Sequence, residues 1–184
     1  VQPHEPRTRS NDGRADRHGN FVFGTMDGSA VKSPLGAFFQ YSATHGLRPL
    51  PLPGVAIPNS ICFSPDGRTL YWCDSTRPEI QCCDYDPGAA RVGDCRVFAR
   101  VDLTGVAADG SCIDAEGFLW NAQWGGARVV RYAPDGRIDR IVPVPVSQPS
   151  CCAIGGAGMD TLYVITSPQG LDAAARAAAP ASGG

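Results

Sequence analysis

The stretch Ser64-Pro65-Asp66-Gly67-Arg68-Thr69-Leu70-Tyr71-Trp72 decides the fold. A polar turn built on Pro, Asp and Gly leads directly into aliphatic and aromatic residues, which reads as a β-strand entered from a tight turn. The same figure stands at Gly19-Asn20-Phe21-Val22-Phe23-Gly24, at Glu116-Gly117-Phe118-Leu119-Trp120 and at Met159-Asp160-Thr161-Leu162-Tyr163-Val164. Anchored on Phe21, Leu70, Leu119 and Leu162, the copies are 49, 49 and 43 residues apart. A second strand motif follows three of them: Ala37-Phe38-Phe39-Gln40-Tyr41, Ile80-Gln81-Cys82-Cys83-Asp84-Tyr85 and Arg128-Val129-Val130-Arg131-Tyr132. Short strands with a period in the forties predict an all-β propeller of four-stranded blades, since sandwiches lack such a repeat. The only helix-like stretch is Leu171 to Ala179. The expected organisation is a propeller region over 1–167 and an Ala/Gly/Pro-rich, poorly ordered tail over 168–184.

Composition sets the outer bounds. The 184 residues suffice for one domain with a core, and 43% hydrophobic with 18% charged residues is ordinary for a soluble domain. A net charge of −2 argues against a nucleic-acid partner. The arginines at 7, 9, 14 and 17 are interleaved with Glu5, Asp12 and Asp16, so they read as a mixed surface. No apolar run approaches a membrane span of roughly 20 residues, and no signal peptide opens the chain. The 8 cysteines form no CxxC pair and lie far from the histidines. Several sit inside apolar strand runs, which favours free thiols over disulfides and hence a cytoplasmic location. The vicinal pairs Cys82-Cys83 and Cys151-Cys152 read as strand residues on opposite faces rather than redox centres.

The repeat also aligns three polar residues. Asn11, Asn59 and Asp109 are separated by 48 and 50 residues, and each precedes its anchor by 10 or 11. Turn chemistry explains any one of them taken alone. Three in one phase predict polar tips converging on the central channel, where amide and carboxylate oxygens suit a hard cation. At the fourth repeat this phase falls near Ser150 and Cys151. Other chemistries find no support. His4, His18 and His45 lie in polar, loop-like sequence without a nucleophile elbow, and no Walker loop or dinucleotide fingerprint occurs. Trp72 and Trp120 read as core strand residues, and Trp124 as a candidate for the channel rim.

At these residues the sequence resembles the senescence marker protein/gluconolactonase (regucalcin-like) family of sugar lactonases. The resemblance is carried by Arg9-Ser10-Asn11-Asp12-Gly13, Gly24-Thr25-Met26-Asp27, Pro58-Asn59-Ser60, Phe63-Ser64-Pro65-Asp66-Gly67, Asp109-Gly110, Asp114-Ala115-Glu116-Gly117-Phe118-Leu119-Trp120, Pro149-Ser150-Cys151-Cys152 and Asp160-Thr161-Leu162-Tyr163. It runs over roughly residues 7 to 172. It implies a six-bladed propeller with one divalent metal, calcium, zinc or manganese, in the channel. It makes Asn59 and Asp109 metal ligands, Asp109 the catalytic acid/base, and Arg9 and Asn11 substrate-binding residues for a sugar lactone. The family's third ligand, a glutamate in a Glu-Gly-Pro word, has no counterpart here, and its acidic residue after Gly-Thr-Met falls in Asp27-Gly28-Ser29-Ala30. Six blades need about 270 residues, so the expectation is an incomplete propeller of about four blades whose open blade face promotes self-association. Three functions follow: a metal-dependent lactonase, a non-enzymatic calcium- or ligand-binding propeller, and an inactive portion of a longer lactonase.

Overall fold

A computed structural model describes residues 2 and 4–183; Val1, Pro3 and Gly184 lie outside it. Fourteen strands fold into successive antiparallel meanders. The first blade is β1 (Thr8–Ala15), β2 (Phe21–Asp27), β3 (Gly36–Ser42) and β4 (Gly46–Val55). The second is β5 (Pro58–Phe63), β6 (Thr69–Asp74), β7 (Glu79–Asp86) and β8 (Arg91–Arg100). The third is β9 (Ala107–Ile113), β10 (Leu119–Trp124), β11 (Arg128–Tyr132) and β12 (Ile138–Pro143), and β13 (Pro149–Gly155) with β14 (Thr161–Thr166) begin a fourth. The expected bladed, all-β fold is therefore present, as three four-stranded sheets and a two-stranded one. The first strands of successive blades, β1, β5, β9 and β13, lie side by side along the channel. The short helix α1 (Ala173–Ala178) follows, capped by Asp172, whose side chain accepts the Ala175 N–H. No helix among the described residues is long and apolar enough to cross a membrane.

The turns close as their residues require. In Ser64–Gly67 the Gly67 N–H donates to the Ser64 carbonyl at 2.9 Å. Asp66 accepts the Arg68 N–H at 3.0 Å, and Gly67 takes φ +70°, a conformation glycine adopts without steric cost. The third blade repeats the device: Gly117 has φ +83°, and Asp114 accepts from the N–H groups of Glu116 and Phe118.

The second and third blades have a neighbour on each side, which buries β5 and β11 on both faces, whereas β1 at the first blade has no buried residue. Every residue of β5 and of β11 is buried, whereas β12 has none that is. The core is accordingly divided into layers between blades. Phe38 of the first blade meets Trp72 of the second edge-on, ring centroids 5.1 Å apart. Tyr71 meets Phe98 at 5.0 Å in the next layer, which Leu119 and Val130 join from the third blade. Cys112, Val129 and Cys152 form the last and smallest layer. Beyond it the face of the fourth blade is open, with Tyr163 55% and Ile165 56% exposed.

One expectation is corrected. Cys83 and Cys95 form a disulfide, against the reading of all eight cysteines as thiols. The cause is register: the β7–β8 ladder sets the two residues directly opposite each other. The other six cysteines are free. The vicinal pair at 82 and 83 divides as expected, Cys83 entering the layer toward the first blade and Cys82 the layer toward the third. Trp72 and Cys73 are buried core residues. Trp120 is half-buried and donates to Asp114 at 2.9 Å. Trp124 ends β10, one strand away from the channel, paired with Ala107.

The layered core predicts that Leu119→Ala, at a fully buried position, lowers stability by about 2–5 kcal/mol. Urea denaturation measures this, and a loss below that range would show that the second and third blades do not share a packed layer.

Candidate functional site at the channel end of the inner strands

The site arises from a repeated defect in the inner strands. Pairing with the second strand of each blade slips by one residue between Ser10 and Gly13, between Asn59 and Cys62, at the Asn121/Gln123 partners on β9, and between Pro149 and Cys151. Such a bulge interrupts the alternation of faces and re-aims a side chain. Asn59 is paired with Cys73. The neighbouring pairs Ser10–Thr25 and Ala108–Gln123 set Asn11 and Asp109 at the equivalent points of β1 and β9. The phase read from the repeat is thus a shared position at the bulge.

The bulges bring these residues into contact across blades. Asn11 Nδ2 donates to Asn59 Oδ1 at 3.0 Å and to the Pro58 carbonyl at 2.9 Å. Arg9, exposed at the rim, donates to Asn11 Oδ1 at 3.4 Å. Asn59 is buried, and its Nδ2 donates to Ser75 Oγ at 2.8 Å. Ser75 in turn donates to the Ala108 carbonyl at 2.6 Å. These bonds fix the orientation of the Asn59 amide, turning its oxygen toward Asn11. Asp109 is half-buried at the next bulge, and its backbone carbonyl accepts from Ser60 Oγ at 2.7 Å. All four residues singled out from the sequence therefore occupy one region: Arg9, Asn11 and Asn59 in a contact chain, and Asp109 tied to the same strand through Ser60.

Electrostatics distinguish Asp109. Burial, and then the neighbouring Asp12 carboxylate, push its carboxyl up to about 7. Asp12 is also raised by burial, but the Ile61 N–H, Arg14 and the Gly13 N–H oppose that shift. The Ile61 N–H reaches its Oδ2 at 2.8 Å. Arg14 spans the inner strands, donating to the Ile61 carbonyl at 3.1 Å and to the Ser111 carbonyl at 2.8 Å.

The donor set fits a hard cation in part. An amide oxygen and a carboxylate stand at equivalent points of adjacent strands, the ligand chemistry of calcium and related ions. Among the described residues no group of three His, Cys, Asp or Glu side chains could hold a metal. Asp27 is no substitute for the family's acidic substrate contact. It is fully buried, and its carboxylate accepts the N–H groups of Ser29 and Ser33. The three histidines are exposed and far from any triad arrangement in sequence. Sequence reasoning passed over Asp12, Arg14, Ser60, Ser75 and Asn121. The available signal was Asn121, a polar residue between Trp120 and Ala122 in the middle of a strand.

Comparison with known proteins gives the family. The family model of the SMP-30/Gluconolactonase/LRE-like region matches residues 1–168. The L-arabinolactonase of Azospirillum brasilense is 49% identical over all of this chain and 60% of its own length. Regucalcin of Xenopus laevis is 32% identical over all of this chain and 63% of its own. The crystal structure of a calcium-binding protein, regucalcin, from Agrobacterium tumefaciens superposes with a TM-score of 0.90 at 35% identity, covering 100% of this chain and 61% of that one. The chain thus spans about 60% of the length of the curated relatives it matches. With the family model covering nearly its whole length and the inner-strand bulges in place, the chain belongs to the SMP-30/gluconolactonase/LRE-like family.

Proposed function

We propose that the protein hydrolyses a sugar lactone, an aldonolactone, to the sugar acid in a metal-dependent reaction, with Asp109 as acid/base. The observation that carries this reading is the contact chain at the bulges, which gathers Arg9, Asn11 and Asn59 beside a carboxyl raised to about 7. That value belongs to the metal-free carboxyl; a cation beside it would lower it again, leaving the ionised form that accepts a proton. Asn59 and Asp109 would hold the divalent cation, calcium, zinc or manganese, which when bound supplies a Lewis acid for the lactone carbonyl. Asp109 accepts a proton from water as its oxygen bonds to the carbonyl carbon. It returns that proton to the ring oxygen as the ester C–O bond breaks. Arg9 presents its guanidinium donors to sugar hydroxyls, and Asn11 offers its amide oxygen beside them.

A second reading is a non-enzymatic calcium-binding propeller. It is favoured by the calcium-binding Agrobacterium protein at 35% identity. In both readings the partner is a small molecule or ion. Six free cysteines favour a reducing, cytoplasmic location, against which the Cys83–Cys95 disulfide stands.

Proton release from a panel of aldonolactones, with and without calcium, zinc or manganese, separates the readings. Metal-stimulated turnover is expected. Calcium binding without turnover would select the second reading. Asp109→Asn is expected to lower turnover by about 10²–10⁴-fold, and full activity in that variant would remove Asp109 from the mechanism.

The same group has a signed effect on stability. A carboxyl whose folded pKa exceeds its unfolded value of about 3.9 favours the folded state only while protonated. Asp109 therefore costs stability progressively from about pH 4 up to its folded value of about 7. In the metal-free protein Asp109→Asn should be more stable than the parent at pH 8, by on the order of 1 kcal/mol once partial exposure is allowed for. The difference should shrink toward pH 4, and a variant less stable at pH 8 would contradict the assigned environment.

A further inference from the structure

The Asp109 backbone is held more firmly than a bulge requires. Its carbonyl accepts two side-chain donors, Ser60 Oγ of the neighbouring blade at 2.7 Å and Asn121 Nδ2 of its own blade at 2.9 Å. Those donors are joined to each other and to Ser111. Asn121 Nδ2 lies 3.0 Å from Ser60 Oγ and 2.9 Å from Ser111 Oγ, and the two hydroxyls are 2.9 Å apart. Ser60, Ser111 and Asn121 are all fully buried.

Two features go against ordinary packing. Ser60 has φ +60°, in the left-handed region that disfavours any residue with a Cβ and costs glycine nothing. Asn121 directs its amide nitrogen into the cluster, while its buried Oδ1 finds no partner among the described residues. A strained backbone and an orphaned oxygen are both unfavourable. What they have in common is a donor delivered to the Asp109 carbonyl. From the other side, a Cβ on Gly110 would fall 2.4 Å from Cys151 Sγ and 2.8 Å from the Ser150 carbonyl. The Asp109–Gly110 peptide is thus clamped between the second blade and the fourth.

We propose that Ser60 and Asn121 are positioning residues for Asp109, fixing its peptide plane so that its carboxylate is presented at the same level of the channel as Asn59 Oδ1. This rests on the reading of Asp109 as cation ligand and acid/base. A purely space-filling Ser60 would be replaced by glycine with benefit, because the strain disappears. A positioning Ser60 cannot be, because the hydroxyl disappears with it.

The test is Ser60→Gly in the full chain, with Asn121→Ala as a second variant, read by three measurements. The melting temperature of Ser60→Gly should stay within a few degrees of the parent's, because the strain relieved offsets the hydrogen bonds lost. The ¹³C carbonyl resonance of Asp109 should shift on loss of a donor. Affinity for calcium ions alone, measured by titration calorimetry, should fall about tenfold, the size expected when one hydrogen bond's ordering is lost. In lactone hydrolysis the loss should appear in kcat with KM retained. An unchanged Asp109 carbonyl resonance and unchanged calcium affinity in both variants would overturn the proposal. Its failure is distinct from failure of the acid/base reading, which is judged by Asp109→Asn. If that variant keeps its activity while Ser60→Gly still moves the carbonyl signal, the clamp stands and the catalytic role falls.

Discussion

Everything at the site depends on the side-by-side packing of β1, β5, β9 and β13. Where such a strand is buried on both faces, as β5 is, it leaves almost no room for polar side chains, because a buried polar group must find a partner. The one-residue slips in the inner strands provide that room. At each slip the ladder loses regular pairing, and side chains of the adjacent strand take over the freed backbone groups. Asn11 serves the Pro58 carbonyl, Ser75 the Ala108 carbonyl, and Ser60 and Asn121 the Asp109 carbonyl. Except for the Asn121 bond, which lies within the third blade, these are also bonds that join one blade to the next.

The division of labour along each blade follows. The layers between blades supply stability through large apolar residues such as Phe38, Trp72 and Leu119. Outer strands solvate the periphery and carry ion-pair networks. One of these gathers Asp114, Glu116 and Asp139 around Arg131, whose guanidinium stacks 3.6 Å over Phe118. Such a network pins the Asp114–Gly117 turn and leaves the channel to the inner strands. The fourth blade, with only two strands and an open face, contributes its inner strand to the channel and little to the core.

Much of this was legible in the sequence because a repeat is a statement about geometry. The spacings of Phe21, Leu70 and Leu119 imply that equivalent residues face one axis, and Asn11, Asn59 and Asp109 could be aligned without knowing a single hydrogen bond. Pairings that depend on register were not legible. Cys83 and Cys95 meet because β7 and β8 align at that rung, and a shift of one residue would separate them. Nor does any sequence rule announce the left-handed backbone of Ser60, since serine is an ordinary strand and turn residue. Asn121 was overlooked because a period-two strand pattern assigns it to a face without saying that the face holds only polar atoms. Arg14 was read as part of a mixed surface, yet its guanidinium reaches carbonyls on both the second and the third blade.

Asp12 and Asp109 are neighbouring carboxyls in different environments. Both lose hydration on burial. Asp12 recovers much of that loss from the Ile61 and Gly13 N–H groups and from Arg14, and it is occupied in holding β1 to β5. Asp109 has no cation of its own among the causes that shift it, and Asp12 adds repulsion. An ionised Asp109 is therefore unfavourable until positive charge arrives beside it. On the proposed reading, a cation bound beside Asp109 would remove that penalty. The Ser60 and Asn121 donors go to the Asp109 carbonyl, and of the causes acting on its carboxyl only the Gly110 N–H, the smallest, opposes the upward shift.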